Sequence, residues 1–310
     1  TKATSFTSDS DRVQVFVDGK GEILIALDPG WNFNLDVGCG ATEVKAAESL
    51  LAKLDTDGAC LWSRALALPK PSKHFTLALA TDGRIAAVGG GLPLTIFDAT
   101  GEVVATLPFG VLDGAALALG PEGEIAVAGS GTLSNDYGGG PVGATGAGLQ
   151  IAKLDANLGH QWSQGHASVN SGGRHSVSFG PDGTVVVACP MGKTANVGGS
   201  SIVRTETTSA LIAAFTSQGH HLWSTGTSFG HEKAWPGQLR VGVDGAVYVT
   251  GTVPKSWEPN LGMVAKVEPG GRLMWANHSH QSVLLDIDGQ GRILLSGTKG
   301  WGTYFGAMTP

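Results

Sequence analysis

The chain has 310 residues, a formal net charge of −6, 48 glycines and only 15% charged residues. No stretch carries a Lys/Arg run able to neutralise several phosphates, which argues against a nucleic-acid partner, and no window reaches the roughly 18 consecutive apolar residues of a transmembrane helix. The 42% hydrophobic content comes in short Val/Ile/Leu/Ala runs, the profile of many short strands joined by tight turns.

In chain order the predicted strands come as hairpins of two alternating kinds. The first, RVQVFVDGKGEILIAL, recurs as FTLALATDGRIAAVGG, AALALGPEGEIAVAGS, HSVSFGPDGTVVVACP, LRVGVDGAVYVTGT and SVLLDIDGQGRILLSG. Each has two period-two apolar runs around a glycine turn, centred on Gly21, Gly83, Gly123, Gly183, Gly245 and Gly291. The second kind is LLAKLDTDGACLWS, QIAKLDANLGHQWS, LIAAFTSQGHHLWS and MVAKVEPGGRLMWA. These share a seven-residue spacing from Asp55 to Trp62, Asp155 to Trp162, Thr216 to Trp223 and Glu268 to Trp275. LTIFDATGEVVATL is a Trp-less copy, with Val104 and Ala105 at its bulky end.

Self-similarity at a long period marks a repeat architecture. Two hairpins make a four-stranded antiparallel unit, and six units of about fifty residues predict an all-β, six-bladed β-propeller forming a single domain over 1–310. The last unit stops after one strand, TYFGAM, beyond Trp301. The N-terminal strand 2–7 (KATSFT) is expected to complete the sixth blade and close the ring, removing an edge that invites aggregation. The repeated Trp then lies on the outermost strand, where its ring covers the blade or packs on a neighbour.

This connectivity sorts the loops onto two faces. Short turns occupy one, and the long connections 28–49, 91–93, 130–148, 190–209, 252–262 and 299–302 within blades, with 66–73, 168–174 and 228–238 between blades, occupy the other. Binding groups favour variable loops on a rigid scaffold, so the long-loop face is the candidate. The four Trp outside the repeat phrase fall there. Trp31, Asn32, Tyr137, Trp235, Trp257 and Trp301 are the candidate ligand contacts, flat apolar rings beside short polar arms; the competing reading is that such rings plug loops.

Of the histidines, His74, His166, His175, His231, His278 and His280 lie in or beside blade connections, while His160, His220 and His221 belong to turns on the other face. His74, His175, His231, His278 and His280 are the candidate catalytic groups, and a divalent metal is the one cofactor they would admit. No HExxH spacing supports it, DIDGQG lacks the downstream Glu of a calcium loop, no GxSxG elbow is present, and GGGPVGATGAG reads as a flexible loop without a phosphate-binding helix. Of three cysteines, Cys39 precedes a strand and Cys60 follows a hairpin turn, so the two can meet across one blade edge. The alternative is three buried thiols, with Cys189 the third.

The stretch GSGTLSNDYGGGPVGATGAGLQIAKLDANLGHQWS, and more loosely GWNFNLDVGCGATEVKAAESLLAKLDTDGACLWS, resembles the SBBP-type bacterial β-propeller repeats of exported myxobacterial and related proteins. The resemblance covers most of the chain and implies a secreted or cell-surface location more than an activity. The AKLDxxGxxxW phrase is also similar to the tryptophan-docking motif of quinoprotein dehydrogenase propellers. Those usually have eight blades, calcium and a vicinal disulfide; no CC occurs here, so this likeness implies blade packing rather than a quinone cofactor.

The sequence thus predicts a monomeric, secreted or cell-surface binding module that takes a glycan or protein on its long-loop face. The alternative is a hydrolase- or lyase-type enzyme with a histidine site at the channel mouth. The start TKATSF, without Met or a basic-then-apolar leader, reads as a processed or trimmed piece whose export signal is out of view.

Overall fold

Short aliphatic runs and glycine turns fold into 27 strands, with no helix among the described residues. The computed structural model describes residues 12–28, 32–45, 48–67, 75–89, 92–131, 135–142, 148–167, 174–191, 194–203, 210–227, 235–253, 261–279, 282–287, 293–299 and 302–308. The expected closing strand 2–7 lies outside them. By contacts the chain divides into two compact units, Thr1–Phe109 and Gly110–Pro310.

The first unit holds two sheets. Sheet 1 consists of Arg12–Val17 (β1), Ile23–Asp28 (β2), Glu48–Leu54 (β5) and Cys60–Ala67 (β6), with the hairpin Phe33–Asp36 (β3) and Ala41–Val44 (β4) inserted after β2. Sheet 2 consists of Phe75–Leu79 (β7), Ile85–Gly89 (β8), Leu92–Phe97 (β9) and Val103–Leu107 (β10). The second unit begins with sheet 3, Leu112–Leu119 (β11), Ile125–Gly131 (β12), Gly148–Leu154 (β13) and His160–His166 (β14). Sheet 4 has Ser176–Phe179 (β15), Val185–Pro190 (β16), Ala210–Phe215 (β19) and His221–Thr227 (β20), with the small pair Thr194–Ala195 (β17) and Ile202–Val203 (β18) inserted. Sheet 5 has Trp235–Val241 (β21), Val247–Val253 (β22), Leu261–Val267 (β23) and Leu273–Ser279 (β24), and sheet 6 has Ser282–Ile287 (β25), Ile293–Lys299 (β26) and Gly302–Met308 (β27). Every pairing is antiparallel and each larger sheet is a meander, the strand order of a propeller blade. First strands lie beside first strands: β1 by β7 in one unit, and β11 by β15, β15 by β21 and β21 by β25 in the other.

The middle strands depart from simple in-and-out alternation. β12, β13, β16 and β19 are buried along their whole length; for β16 and β19 the cause is that sheets 3 and 5 pack on their two faces. Alternation survives as large against small: Ile125 and Val127 point one way, Ala126 and Ala128 the other. Ala126 and Ala128 pack with Leu149, Ile151, Val187 and Phe215 in the core between sheets 3 and 4.

The hairpin turns explain the glycines. Gly83 N donates to Ala80 O at 3.0 Å and Ala80 N to Arg84 O at 2.8 Å, a loop that needs a left-handed residue, and Gly83 has φ +88°. Outer turns use Gly58, Gly101, Gly219 and Gly271 in the same way, whereas sheet 3 places Leu158 there at φ 67°. A branched side chain in that conformation costs about 1 kcal/mol.

Three of the four repeated Trp residues reach from one sheet to the next, one of the two readings that the spacing leaves open. Trp62 Nε1 donates to Ala99 O at 3.0 Å in the outer turn of sheet 2, and its ring lies against Gly101. Trp162 Nε1 donates likewise to Ser217 O at 3.0 Å in sheet 4, over Gly219, and the Trp223 ring lies against Gly271 of sheet 5. These turn glycines therefore serve twice, giving the turn its backbone and the indole its seat.

Candidate functional site

The long connections within sheets 1, 3 and 4 do not stay at the loop end. Each bends back along the outer strand and reaches the residue with which that strand begins. The bend is built the same way three times. Asp36 Oδ1 accepts from Gly38 N (2.7 Å) and Gly40 N (3.0 Å), Asp136 Oδ1 from Gly138 N (2.8 Å) and Gly140 N (2.9 Å), and Asn196 Oδ1 from Gly198 N (2.9 Å). Gly38, Gly138 and Gly198 all have left-handed backbone, with φ 103°, 95° and 110°.

The next residue of each bend faces the outer strand. In sheet 1 it is Cys39, bonded to Cys60 with a Cα–Cα distance of 5.4 Å, so the two sequence-paired cysteines do form the bridge; Cys189 is free and buried. In sheets 3 and 4 it is Gly139 and Gly199, and a Cβ on either would collide with the imidazole of His160 or His221. One cradle thus holds a disulfide once and a glycine–imidazole stack twice. His160 and His221, placed by the sequence at hairpin turns, do begin β14 and β20 beside those turns, and there they also meet the bends of the long connections. The expected flexible loop GGGPVGATGAG is, through residue 142, an ordered bend closed by the Asp136–Pro141 bridge and by Val142 N donating to Asn135 O at 3.0 Å.

Of the predicted ligand contacts, Asn32 is exposed at the start of the sheet 1 insertion. Tyr137 is not a surface ring: it is fully buried, and its hydroxyl donates to Gln150 Oε1 at 3.1 Å. Burial pushes its phenol pKa well above the ordinary value. Trp31, Trp257 and Trp301 lie outside the described residues, and Trp235 is described only as backbone, opposite Thr252 in β21–β22. Among the candidate catalytic groups, His74, His231 and His280 also lie outside, and His278 is described as backbone opposite Met263.

His175 is therefore the one candidate histidine whose side chain is described. Its Nε2 lies 3.2 Å from Ser130 Oγ, its Nδ1 lies 3.2 Å from Gly114 O, and its own N–H donates to that same carbonyl at 3.2 Å. Nucleophile, base and orienting acceptor in a row is the layout of an activated serine. Yet Ser130 and His175 are only 5% and 6% exposed, and the two ends of the contact come from sheets 3 and 4. The arrangement is a clamp across that seam. Beside it, Asn135 Nδ2 donates to Gln150 Oε1 at 2.8 Å and to Val111 O at 3.2 Å, so the buried polar groups largely satisfy one another.

His166 and His221 carry a different signal. Both Nε2 atoms are buried without a hydrogen-bond partner, and the rings flank Phe215 at centroid distances of 6.1 Å and 6.0 Å. Burial, with His221 nearby, pulls the His166 pKa down to about 4, and burial lowers that of His221 as well. Among the described residues, no three His, Cys, Asp or Glu side chains converge to hold a metal.

No family model and no curated protein sequence matches this chain. Solved structures are similar at fold level only. The C-terminal WD40 domain of Sif2 is 13% identical over 99% of this chain and 84% of that one, with a TM-score of 0.49. The Dos1 propeller is 9% identical over 91% and 76%, with a TM-score of 0.46. A member of the DUF4221 family from Bacteroides vulgatus is 7% identical over 93% and 87%, with a TM-score of 0.44.

Proposed function

We propose that the chain is a secreted or cell-surface binding module that recognises a glycan or a protein through its long connections. The observation that carries this reading is the strand topology around the non-repeat tryptophans of the second unit. Trp235 opens β21, position 257 falls between the end of β22 and the start of β23, and position 301 falls between β26 and β27. Trp235 and the ends of β22 and β23 that flank position 257 lie at one end of sheet 5, and sheet 6 packs beside that sheet. The Cys39–Cys60 bridge supports an oxidising compartment and hence export.

The test is to change Trp31, Trp257 and Trp301 together to Ala and screen the protein on a glycan array and against surface extracts. Binding is expected to disappear while far-UV circular dichroism and Tm stay unchanged. Full binding by a folded triple variant overturns the reading. The Ser130–His175 pair is the specific observation favouring a hydrolase instead. Its burial weighs against that, and Ser130→Ala abolishing a measurable hydrolysis would reverse the order of the two readings.

A further inference from the structure

The AKLD lysines of sheets 1 and 3 hold the same register position, Lys53 opposite Trp62 and Lys153 opposite Trp162, and both are almost fully buried. They are served differently. Lys53 Nζ meets Glu22 at 2.7 Å and Asp18 at 3.1 Å. Lys153 Nζ has one carboxylate among the described residues, Glu124 at 3.5 Å, and the face of Phe179 at 5.7 Å from the ring centroid.

The cause is a single position in the inner hairpin, where sheet 3 has Gly120 and sheet 1 has Asp18. In sheet 1, Asp18 Oδ1 accepts from the amides of Lys20 and Glu22, both at 2.9 Å, which leaves Glu22 to serve the lysine. In sheet 3 the Glu124 carboxylate folds into the space a side chain at Gly120 would take, and its Oε2 accepts from Glu122 N at 3.0 Å. One carboxylate does the work of two. Glu124 stands at the hairpin position of Glu22, so the second carboxylate that Asp18 supplies in sheet 1 has no counterpart among the described side chains around Lys153.

Lys153 lines a groove of about 640 Å³ between sheets 3 and 4, at their turn end, together with Glu122, Glu124, Trp162, Asp182 and Gln218 among others. We propose that the groove is a binding site for a small amino-acid zwitterion, its carboxylate completing the pairing of Lys153 and its ammonium held by Glu122 and Asp182 at the rim. A buried ammonium with one long ion pair retains an unmet demand for a second anion. A simple anion would have to pass three carboxylates, and a simple cation would leave Lys153 as it is. A molecule carrying both signs answers both. Hydrogen bonds from the Thr184 hydroxyl and amide hold Asp182 below its ordinary pKa, so that carboxylate stays ionised. This site is lined by residues of the turns and strands, none of them from the long connections, and does not depend on their role.

The experiment is isothermal titration of the 310-residue protein with glycine, L-glutamine and L-phenylalanine, with acetate and methylamine as single-charge controls. At least one amino acid is expected to bind with a Kd below about 5 mM and both controls to bind at least about tenfold more weakly. Gly120→Asp recreates the sheet 1 arrangement. The new Cβ meets the movable Glu124 carboxylate and touches Phe179 at 3.4 Å, and amino-acid affinity should fall at least about tenfold in a folded protein. Glu122→Gln, at an exposed position, should weaken the ammonium end alone. The proposal is overturned by no heat from any of the three amino acids, by acetate binding equally well, or by unchanged affinity in both variants.

Discussion

The seam between sheets 1 and 2 and the seam between sheets 3 and 4 are built on one plan, and they differ in how completely each satisfies its own charges. In both, a Trp from the earlier sheet donates to a turn carbonyl of the later one and lies on a turn glycine. Around that shared hook, sheet 1 has a lysine with two close carboxylates and a covalent Cys39–Cys60 tie. Sheet 3 has a lysine with one distant carboxylate and a glycine–histidine stack, and the seam buries two imidazole nitrogens without partners. The difference teaches that apolar packing and the indole hook suffice to join two sheets. The polar positions around the hook are free to be closed for stability or left open for chemistry.

The same substitution in both seams should separate them most. Lys53→Met strands Asp18 and Glu22 in a buried setting and is expected to cost about 3–5 kcal/mol in urea unfolding, whereas Lys153→Met, which removes a poorly paired charge, should cost far less. Equal losses would show that the seams are electrostatically alike. Opening the covalent tie comes next. Cys60→Ser, or reduction of the native bridge with its 21-residue separation, should lower stability by about 2–4 kcal/mol. Placing cysteines at Gly139 and His160, which stand at the same spacing, should form a second bridge, detectable as a mass loss of two hydrogens.

Acid should then separate the seams by pH. His166 is neutral when folded, with a pKa near 4 against 6.5 unfolded, so the unfolded chain binds the proton first as pH falls. The stability it confers is complete above about pH 6.5 and is lost on descending towards 4, a drop of about 2–3 kcal/mol to which His221 adds in the same direction. Asp18 responds in the same direction but in a lower pH window. Although burial raises its pKa, the hydrogen bonds from Lys53 and from the Lys20 and Glu22 amides more than offset this and hold it below the ordinary value. Its contribution is present above the unfolded value of about 3.9 and goes only as pH falls through the lower folded one. Urea melts at pH 7, 5.5 and 4.5 should therefore show the second unit weakening first, and His166→Phe should flatten that slope. An unaltered slope would remove the buried imidazole as its source.

The fold was legible because its signals are local. A glycine at the left-handed position of a turn and a Trp at a fixed distance from it are enough to mark hairpins and sheets. The site was less so, because burial is decided by partners distant in the chain. Tyr137, set among Asn, Asp and Gly, has the composition of an exposed recognition loop, yet Gln150 from β13 captures its hydroxyl and the sheet covers its ring. His175 reads as a loop histidine until Gly114 and Ser130, from the other sheet, close on it. The cradle left a trace in the sequence: Gly139 stands as far ahead of His160 as Cys39 does of Cys60. Seeing it requires aligning a cysteine with a histidine, which no similarity of side chains suggests. The Lys153 groove is harder still, since its origin is an absence at Gly120 that only the folded partner Asp18 makes meaningful.

The indole hooks all point one way along the chain. Trp62 finds its acceptor 37 residues later and Trp162 finds its own 55 residues later. During synthesis each of these rings leaves the ribosome before its seat exists, and at 5–20 residues per second the wait is of the order of several seconds. A growing chain of this kind always trails one sheet whose outer face is unfinished. Its exposed tryptophan is the point at which a holding chaperone, or a neighbouring nascent copy, has its best chance to intervene.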